Sequence, residues 1–219
     1  MIKFLSNDRN PKRNLVTDQS GRANLAFKIR ELGLKVDPAA PELGEVLREV
    51  KRLENSGYEF ESAEASLVLL IRRALGKVPE FFSHATWRIL NENIENESFV
   101  LATVKVKVGD QEDHAVAEGD GPVNALDLAL RRALFRFYPE LEKLHLIDYK
   151  VRVLNAAAAT AAAVRVLIFS SDGKDTWGTV GVSANIIDAS WNALVDSFVY
   201  FLMEKRRHAG ISRRSGAAR

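Results

Sequence analysis

The sequence predicts an α+β fold, in which small helical linker subdomains precede a duplicated β-β-β-α domain with antiparallel sheets and helices on one face. Apolar residues recur at helical spacing before residue 80, and at alternate positions in several short runs after it. A strand-and-helix pattern also recurs at an offset of 188 − 124 = 64 residues, which aligns Asn124-Ala125 with Asp188-Ala189. Sheets that carry their helices on one face bury the apolar sides of both kinds of element.

The helical region is predicted from three segments with apolar side chains at helical spacing. These are residues 23–32, 42–55 and 62–75, and a glycine follows each of them within two residues. Glycine ends helices readily because it adopts the left-handed conformation without steric cost. A boundary is predicted after these helices, at Pro79.

The first β-β-β-α unit follows this proline. Valines alternate along residues 99–108, which predicts a strand with one buried face. Gly109-Asp110 predicts a turn into a second strand around residues 114–117. A helix is predicted after the glycine-containing segment 119–125, as far as about residue 137.

The second unit repeats this order. Strands are predicted at residues 148–154, 163–168 and 177–182, and a long helix is predicted from about residue 186 to residue 204. Residues 156–163 are nearly all alanine. Because this run would make only about two helical turns between two strands, we interpret it as a loop.

Composition excludes several classes of protein. The 219 residues are 47% hydrophobic and 27% charged, which suits a globular protein with a core. The chain contains no cysteine, which favours a reducing cytoplasm. We expect no signal peptide, because residues 1–14 lack a long apolar stretch, and no membrane span, because no run of about 18 apolar residues is present.

The basic residues are unevenly distributed. Residues 205–219 contain six Lys or Arg and no acid, so the rest of the chain carries 2 − 6 = −4 of the net charge of +2. A basic tail on a mildly acidic body predicts a disordered terminus at residues 208–219 and no nucleic-acid binding. Binding of a polyanion by this tail is the minority alternative.

The sequence shows no pattern for catalysis or for metal binding. No two of the four histidines stand two or four positions apart, as ligands on one strand or helix would. Ser183 lacks the second glycine of a nucleophile elbow. We therefore predict no catalytic residue and no metal site in this chain.

Residues 119–125, Gly-Asp-Gly-Pro-Val-Asn-Ala, form the strongest local motif. The glycines let the backbone approach a ligand, and Pro122 suits the first turn of a helix. The N–H groups that follow point outward at the positive end of the helix dipole, where a carboxylate or phosphate binds well. A strand-to-helix turn without a ligand is the equally weighted alternative on these residues alone.

Tyr149 and a group of arginines each allow two interpretations. Tyr149 either packs in the core with its hydroxyl in water, which the pattern favours, or forms the wall of a small apolar pocket. Arg131, Arg132 and Arg136 stand near two phenylalanines, as in a stacking site for nucleic acid. Helical spacing instead predicts that these arginines form a solvated outer face.

Several longer stretches resemble the C-terminal regulatory domain of citramalate synthase, a family grouped with the isopropylmalate and homocitrate synthases. Residues 117–126, 148–154 and 180–191 are similar to that domain. Residues 18–24 and 57–66 are similar to the linker that joins it to the catalytic barrel. The resemblance covers nearly the whole chain except its two ends.

The resemblance implies that the chain is part of a larger enzyme. The family condenses acetyl-CoA with a 2-oxo acid, which is pyruvate for citramalate synthase, using a divalent metal in an N-terminal (β/α)8 barrel. This chain has neither that barrel nor a His-x-His motif, so we expect no independent catalysis and no cofactor. We expect a cytoplasmic homodimer, with a separate catalytic barrel as a further partner. The expected domains are a linker at 1–80, a regulatory and dimerisation domain at 81–207, and the tail at 208–219.

The resemblance also implies a site for a branched-chain amino acid, isoleucine, as feedback inhibitor. Backbone N–H groups of Gly121 to Asn124 are expected to bind its carboxylate, and Asp120 or Asp148 its ammonium group. The expected effector site comprises Asp120, Gly121, Pro122, Val123, Asn124, Leu146, Asp148, Tyr149, Val153, Ala161 and Ala163.

Two further implications follow from the family. Its linker reaches the active site of the partner chain, which places Ser20, Gly21 and Arg22 nearest the chemistry. Two alternatives to an isoleucine-sensing domain stay open on the sequence. One is the regulatory domain of an isopropylmalate synthase that senses leucine, and the other is a free-standing amino-acid-sensing dimer module.

Overall fold

The structure, a computed structural model of the chain, divides into two compact units, residues 1–53 and 54–219. It describes residues 27–31, 33–34, 42–94, 97–154 and 162–216. Of the helix predicted at 23–32, residues 27–31 are described and are helical. The other residues of that prediction lie outside the described residues.

In the first unit, the helix predicted at 42–55 is confirmed as α1 (Glu42–Asn55). It buries Leu43, Val46 and Val50, which stand three and four residues apart and therefore share one face. Acidic residues in its first turn and Arg52 in its last turn complement the helix dipole.

The second unit begins with α2 (Glu64–Ala74), which confirms the third predicted helix. Gly76 follows α2 with a φ of 62°, the left-handed conformation expected of a glycine that ends a helix. Residues 65–69 and Ile71 are all buried. This burial on several sides arises because α2 packs against both the last strand and the last helix of the unit.

Two three-stranded antiparallel sheets follow, each with its strands in chain order. The strands are β1 (Ser83–Ile94), β2 (Glu97–Val108), β3 (Gln111–Gly119), β4 (His145–Val153), β5 (Val164–Ser171) and β6 (Thr176–Ser183). Helix α3 (Pro122–Phe135) packs on β2 and β3, and helix α4 (Ile186–Gly216) packs on β5 and β6. The predicted α+β class, with antiparallel sheets and helices against them, is confirmed.

Equivalent elements of the two β-β-β-α units begin and end at the predicted offset. Strand β3 ends at Gly119 and β6 ends at Ser183, which is 183 − 119 = 64 residues later. Helix α3 begins at Pro122 and α4 begins at Ile186, again 186 − 122 = 64 residues later. The connection from α3 to β4 is a short 3-10 helix (Pro139–Lys143).

Strand β1 is an element that the sequence pattern does not locate. It is an edge strand, and Trp87 and Ile89 lie opposite Val104 and Ala102 of β2. Three polar residues, Asn91, Glu92 and Asn93, follow Leu90, so apolar alternation stops in the last third of the strand. An edge strand with one partly covered face has too few buried positions for a clear pattern of period two.

Helix α4 continues to Gly216 and so extends beyond its predicted end near residue 204. Lys205, Arg206 and Arg207 are good helix formers, and no proline follows them. The last turns of α4 lie in the segment 208–219 that the sequence predicts to be a disordered tail. The division into domains at 80 and 207 stays a prediction.

Residues Ile186–Arg207 of α4 are long and apolar enough to cross a membrane by length and composition. Most of this stretch is buried within the domain, against β5 and β6 and beside α2 and α3. A core helix of a globular domain has the same composition, so this feature is weak support for a membrane span.

The alanine-rich loop predicted at 156–163 lies mostly outside the described residues. At its base, the N–H of Leu154 donates to the carbonyl oxygen of Ala163 at 2.9 Å. This bond closes the connection between the end of β4 and the start of β5.

Candidate functional site

An open cavity of about 870 Å³ lies where the first turns of α3 and α4 meet the start of β4. This size falls within the range of about 300–1,000 Å³ that is usual for small-molecule sites. Its lining is mainly apolar, with a few polar and charged groups. The lining residues are Gly121, Pro122, Val123, Asn124, Asp127, Leu128, Arg131, Phe135, Glu142, Leu144, His145, Leu146, Tyr149, Ile186 and Ile187.

The first turns of α3 and α4 occupy equivalent positions in the duplication but are capped differently. In α4, the side-chain oxygen of Asn185 accepts a hydrogen bond from the N–H of Ile187 at 2.9 Å. The equivalent residue of α3 is Gly121, which has no side chain to do this. The cavity therefore meets one capped and one uncapped helix start.

The uncapped start of α3 presents N–H groups to the cavity. Pro122 has no N–H, and the first bond within the helix runs from the N–H of Ala125 to the carbonyl of Gly121 at 2.9 Å. The N–H groups of Val123 and Asn124 therefore have no acceptor within the helix. With the helix dipole, they form a site that suits a carboxylate.

The turn before α3 is held tightly against the helix. The side-chain oxygen of Asn124 accepts a hydrogen bond from the N–H of Asp120 at 3.1 Å. A Cβ atom at Gly119 would lie 2.5 Å from the backbone nitrogen of Ala125, so only glycine fits at this position. This packing fixes the approach of β3 to the cavity.

Asp127 and Arg131 form an ion pair in the wall of the cavity. Nη2 of Arg131 lies 3.1 and 3.2 Å from the two carboxylate oxygens of Asp127. Nη1 of Arg131 donates to the carbonyl oxygens of Leu141 and Leu144, at 2.7 Å each. Burial raises the pKa of the Asp127 carboxyl, and attraction to Arg131 opposes this increase in part.

The prediction that Arg131 belongs to a solvated outer face is therefore wrong. Its guanidinium group satisfies the carbonyl of Leu141 within the 3-10 helix and that of Leu144 directly after it, and it balances a buried carboxylate. Arg132 and Arg136 are exposed as predicted, and Leu130 and Leu134 are buried.

Tyr149 forms one wall of the cavity and ties β4 to the start of α4. The Ser190 hydroxyl donates to the carbonyl oxygen of Ile186 at 2.7 Å, so the Tyr149 hydroxyl donates to Ser190 Oγ at 2.9 Å. Of the two interpretations of this tyrosine, the structure supports the pocket wall. Its hydroxyl is bonded rather than left in water.

Six of the eleven residues of the expected effector site line this cavity: Gly121, Pro122, Val123, Asn124, Leu146 and Tyr149. Asp120, Asp148, Val153 and Ala163 do not belong to its lining, and Ala161 lies outside the described residues. Ser20, Gly21 and Arg22 also lie outside them. The binding roles of all these residues stay predictions.

Asp148 illustrates why some expected residues are not in the lining. Its exposed carboxylate contacts Nζ of Lys150 at 2.9 Å, and the hydrogen bond from Lys150 lowers its pKa. The register of β4 and β5 is irregular between Leu146 and Asp148. Leu146 and Tyr149 therefore line the cavity, whereas Asp148 does not.

The sequence analysis missed several lining residues: Asp127, Leu128, Arg131, Phe135, Glu142, Leu144, His145, Ile186 and Ile187. Two signals were available. Asp127, Arg131 and Phe135 follow Val123 at steps of four, which places them along one side of α3. The duplication also places Ile186 and Ile187 at the positions equivalent to Pro122 and Val123.

A second polar cluster joins α2 to β6 and α4. The carboxylate of Asp196 accepts hydrogen bonds from Ser66 at 2.9 Å and from Arg73 at 2.8 Å. The Ser66 hydroxyl also accepts a hydrogen bond from the N–H of Val180 at 3.1 Å. Burial raises the pKa of Asp196, and Arg73 opposes this increase.

The segment before α2 is also fixed to the second sheet. Nε of Arg165 on β5 donates to the carbonyl oxygen of Gly57 at 2.5 Å, and the same guanidinium group pairs with Glu59. A Cβ atom at Gly178 would lie 1.9 Å from the carbonyl oxygen of Ser62, so the segment rests directly on β6. Residues 57–74 thus form one body with the second β-β-β-α unit.

Among the residues that the structure describes, no group of three or more His, Asp or Glu side chains is placed to hold a metal ion. The expectation of a chain without a metal or other cofactor stays a prediction.

Comparison with known families matches residues 61–202 to the LeuA allosteric (dimerisation) domain. This match covers well over half of the 219 residues. It includes α2, both sheets, α3 and most of α4.

Among individual proteins, the chain is similar to (R)-citramalate synthases. It is 50% identical over 197 residues to that of Aquifex aeolicus, which covers 89% of this chain and 37% of the relative. It is 50% identical over 203 residues to that of Geobacter sulfurreducens, with 92% and 38% covered. It is 27% identical over 184 residues to a probable 2-isopropylmalate synthase of Methanopyrus kandleri, with 84% and 35% covered. The chain therefore spans less than half the length of these relatives.

Proposed function

The chain belongs to the LeuA allosteric (dimerisation) domain family, and from this premise we propose that it is the regulatory and dimerisation portion of a citramalate synthase-type acyltransferase. The 50% identity to two (R)-citramalate synthases supports this assignment. The whole enzyme condenses acetyl-CoA with pyruvate to form citramalate. The chain forms a homodimer, as the family description implies.

The catalytic part lies outside the matched portion in this proposal, because the chain corresponds to 37% and 38% of the two relatives. The divalent metal belongs to that catalytic barrel. This chain supplies no catalytic residue and no cofactor site. It acts in the cytoplasm, together with the catalytic barrel. Ser20, Gly21 and Arg22 are the linker residues that we propose to act at the active site of the other chain of the dimer, as the family resemblance implies.

The effector of this domain is isoleucine, bound in the cavity at the start of α3 as a feedback inhibitor. One observation carries this proposal: the uncapped first turn of α3 opens onto a cavity whose other walls are mainly apolar. The carboxylate replaces the missing cap at the N–H groups of Val123 and Asn124. Leu144, Leu146 and Ile187 receive the branched side chain, whose burial provides much of the binding free energy.

Isoleucine is favoured over leucine by the pattern of similarity. Four (R)-citramalate synthases are 45–50% identical to this chain, whereas two 2-isopropylmalate synthases are 27–28% identical. A difference of one methyl position in an apolar pocket changes the binding free energy by about 1–3 kcal/mol, so a preference for isoleucine over leucine can be measured.

A thermal-shift series tests the proposed effector. L-isoleucine at 100 times its dissociation constant should add about 2.7 kcal/mol to the free energy of unfolding. For a domain of this size that corresponds to a rise in Tm of roughly 5–10 °C. L-leucine, L-valine and L-lysine should give smaller shifts at the same concentration. A shift for leucine alone would replace the assignment by a leucine-sensing domain, and no shift for any of the four would refute an effector role.

Variants of the cavity wall provide the control for this series. Val123→Asp places a charge beside the expected carboxylate, and Tyr149→Ala removes one wall, so both should abolish the shift. Val116→Asp makes the same change as the first variant at a residue on β3 that is 48% exposed and outside the cavity, and it should retain the shift. If all three variants responded as the wild type does, the ligand would bind elsewhere.

A further inference from the structure

Asp127 is the buried acid of the cavity, and the expected effector site does not include it. Its side chain belongs to the lining, and the residue is 8% exposed. Glu142, the other acid of the lining, is exposed. Asp120 and Asp148, the residues expected to accept an ammonium group, are exposed and do not belong to the lining.

Helix geometry brings the carboxylate of Asp127 close to the uncapped N–H groups. Asp127 follows Val123 by four residues, which is about 6 Å along the helix axis. Side chains on a helix lean towards its N-terminus, which directs this carboxylate towards the turn that contains Val123 and Asn124, and all three residues line the same cavity. In an α-amino acid, one carbon joins the carboxylate and the ammonium group. A ligand whose carboxylate binds at this turn therefore directs its ammonium group towards Asp127.

Arg131 holds Asp127 in place but is not free to bind the ligand. Its Nη1 is held by the carbonyl oxygens of Leu141 and Leu144, and its Nη2 by Asp127 itself. Each oxygen of the Asp127 carboxylate keeps a second lone pair for another donor. Burial outweighs the attraction of Arg131 in setting the pKa of this carboxyl, so a second cation would stabilise its charged form.

We propose that Asp127 accepts the ammonium group of the effector and thereby restricts the site to α-amino acids. This inference rests on the proposed function of the cavity as an amino-acid site. A 2-oxo acid with the same side chain has no cation for Asp127, and its carbonyl oxygen would face the carboxylate. The site therefore distinguishes an amino acid from the 2-oxo acids that are substrates in this class of condensation.

Calorimetric titration of the full 219-residue chain tests this role. The probes are L-isoleucine, 3-methylpentanoate, which lacks the amino group, and 3-methyl-2-oxopentanoate. Wild type should bind isoleucine at least tenfold more tightly than either acid. Asp127→Asn keeps the shape and one acceptor for Arg131, so it should weaken isoleucine binding at least tenfold and change 3-methylpentanoate binding by less than twofold.

Asp110→Asn is the matched control, because it makes the same change at an exposed carboxylate outside the lining, and it should bind all three probes as wild type does. An equal loss for isoleucine and 3-methylpentanoate in Asp127→Asn would assign Asp127 a structural role and overturn the inference. Wild-type binding of 3-methylpentanoate as tight as that of isoleucine would overturn it without any variant. Wild type that binds none of the probes would instead refute the proposed effector site, and the inference with it.

Discussion

The side chain of Asp172 links the second sheet to α4. Its carboxylate accepts hydrogen bonds from the N–H groups of Lys174 and Asp175, at 3.0 and 2.9 Å, in the turn between β5 and β6. It also accepts one from Nζ of Lys205 on α4, at 2.6 Å. The hydrogen bond from Asp175, followed by that from Lys205, lowers the pKa of Asp172 far below its usual range.

Asp172→Asn should lower the free energy of unfolding at pH 7 by about 1–2 kcal/mol, because a charged acceptor is lost. The folded-state pKa is depressed, so this stabilisation is complete above the unfolded pKa of about 3.9 and is lost as the pH falls towards the folded value. Urea unfolding should therefore show a smaller difference between variant and wild type at pH 3 than at pH 7. Asp148→Asn, at an exposed carboxylate, is the control and should change stability little at pH 7. A difference of equal size at both pH values would contradict the role of ionisation.

A site residue can be predicted from the sequence when its position is set by neighbouring residues, and not when its position is set by tertiary packing. Gly121, Pro122 and Asn124 belong to a local motif whose residue types dictate a turn and a helix start, so they were predictable. Asp127 lies on the helix among buried leucines, and its place in a cavity depends on the 3-10 helix, which packs against α3, and on residues of β4 that complete the lining. The steps of four from Val123 to Phe135 place Asp127 on one side of α3, but they do not show that a cavity covers that side, so the sequence alone does not identify this acid as a site residue.

The first turns of α3 and α4 are equivalent in the duplication but differ in how they are capped. Both begin at the same point of the duplicated unit, and both contribute to the cavity. Asn185 caps α4, whereas Gly121 leaves the N–H groups of α3 for a ligand. The duplication thus allows the effect of a cap to be tested by exchanging one residue.

Gly121→Asn should place the cap of α4 at the equivalent position of α3. Gly121 has extended backbone angles, φ −171° and ψ 171°, and a Cβ there meets no atom within 4 Å, so asparagine is accommodated. We expect a gain of a few tenths of a kcal/mol in stability, and a loss of isoleucine affinity of about tenfold, because the amide oxygen competes for the N–H groups. Thermal melting and calorimetry measure the two effects.

Gly121→Ala separates competition from steric exclusion in this experiment. It adds a Cβ without an acceptor, so isoleucine should bind as it does to wild type. If Gly121→Ala lost as much affinity as Gly121→Asn, the side chain would be acting by its bulk. The proposed contact between the ligand carboxylate and the helix start would then lack support.

The strands show the same division between what local pattern reveals and what it does not. Strands β2 and β5 are predictable because a helix buries one face of each, and this burial imposes alternation on the sequence. Strand β6 instead is buried continuously along residues 177–181, because α2 and α4 both pack on it. Strand β1 shows no such pattern, because three consecutive polar residues, Asn91, Glu92 and Asn93, interrupt its apolar side chains. The end of α4 was placed too early because a run of basic residues was interpreted as a tail, although such residues also favour helix.

Across the whole second unit, α4 connects the cavity with α2. It begins at the cavity with Ile186 and Ile187, and two to three turns later it carries Asp196, which binds Ser66 and Arg73 of α2. A ligand regulates an enzyme only through different affinities for two states. A continuous helix that contacts both places is a physical route by which a ligand in the cavity would bias the position of α2.

This route predicts that isoleucine protects α2 as well as the cavity. Hydrogen–deuterium exchange should slow in residues 64–74 when isoleucine saturates the chain, and L-lysine should have no such effect. Ser66→Ala removes a donor to Asp196 and the acceptor of the Val180 N–H, at a cost of about 1–3 kcal/mol. This variant should still bind isoleucine, because Ser66 does not line the cavity, but it should lose the protection of α2. If isoleucine slowed exchange only around the cavity of the wild type, its binding would not affect α2. The effect on the enzyme would then have to pass through another surface of the domain.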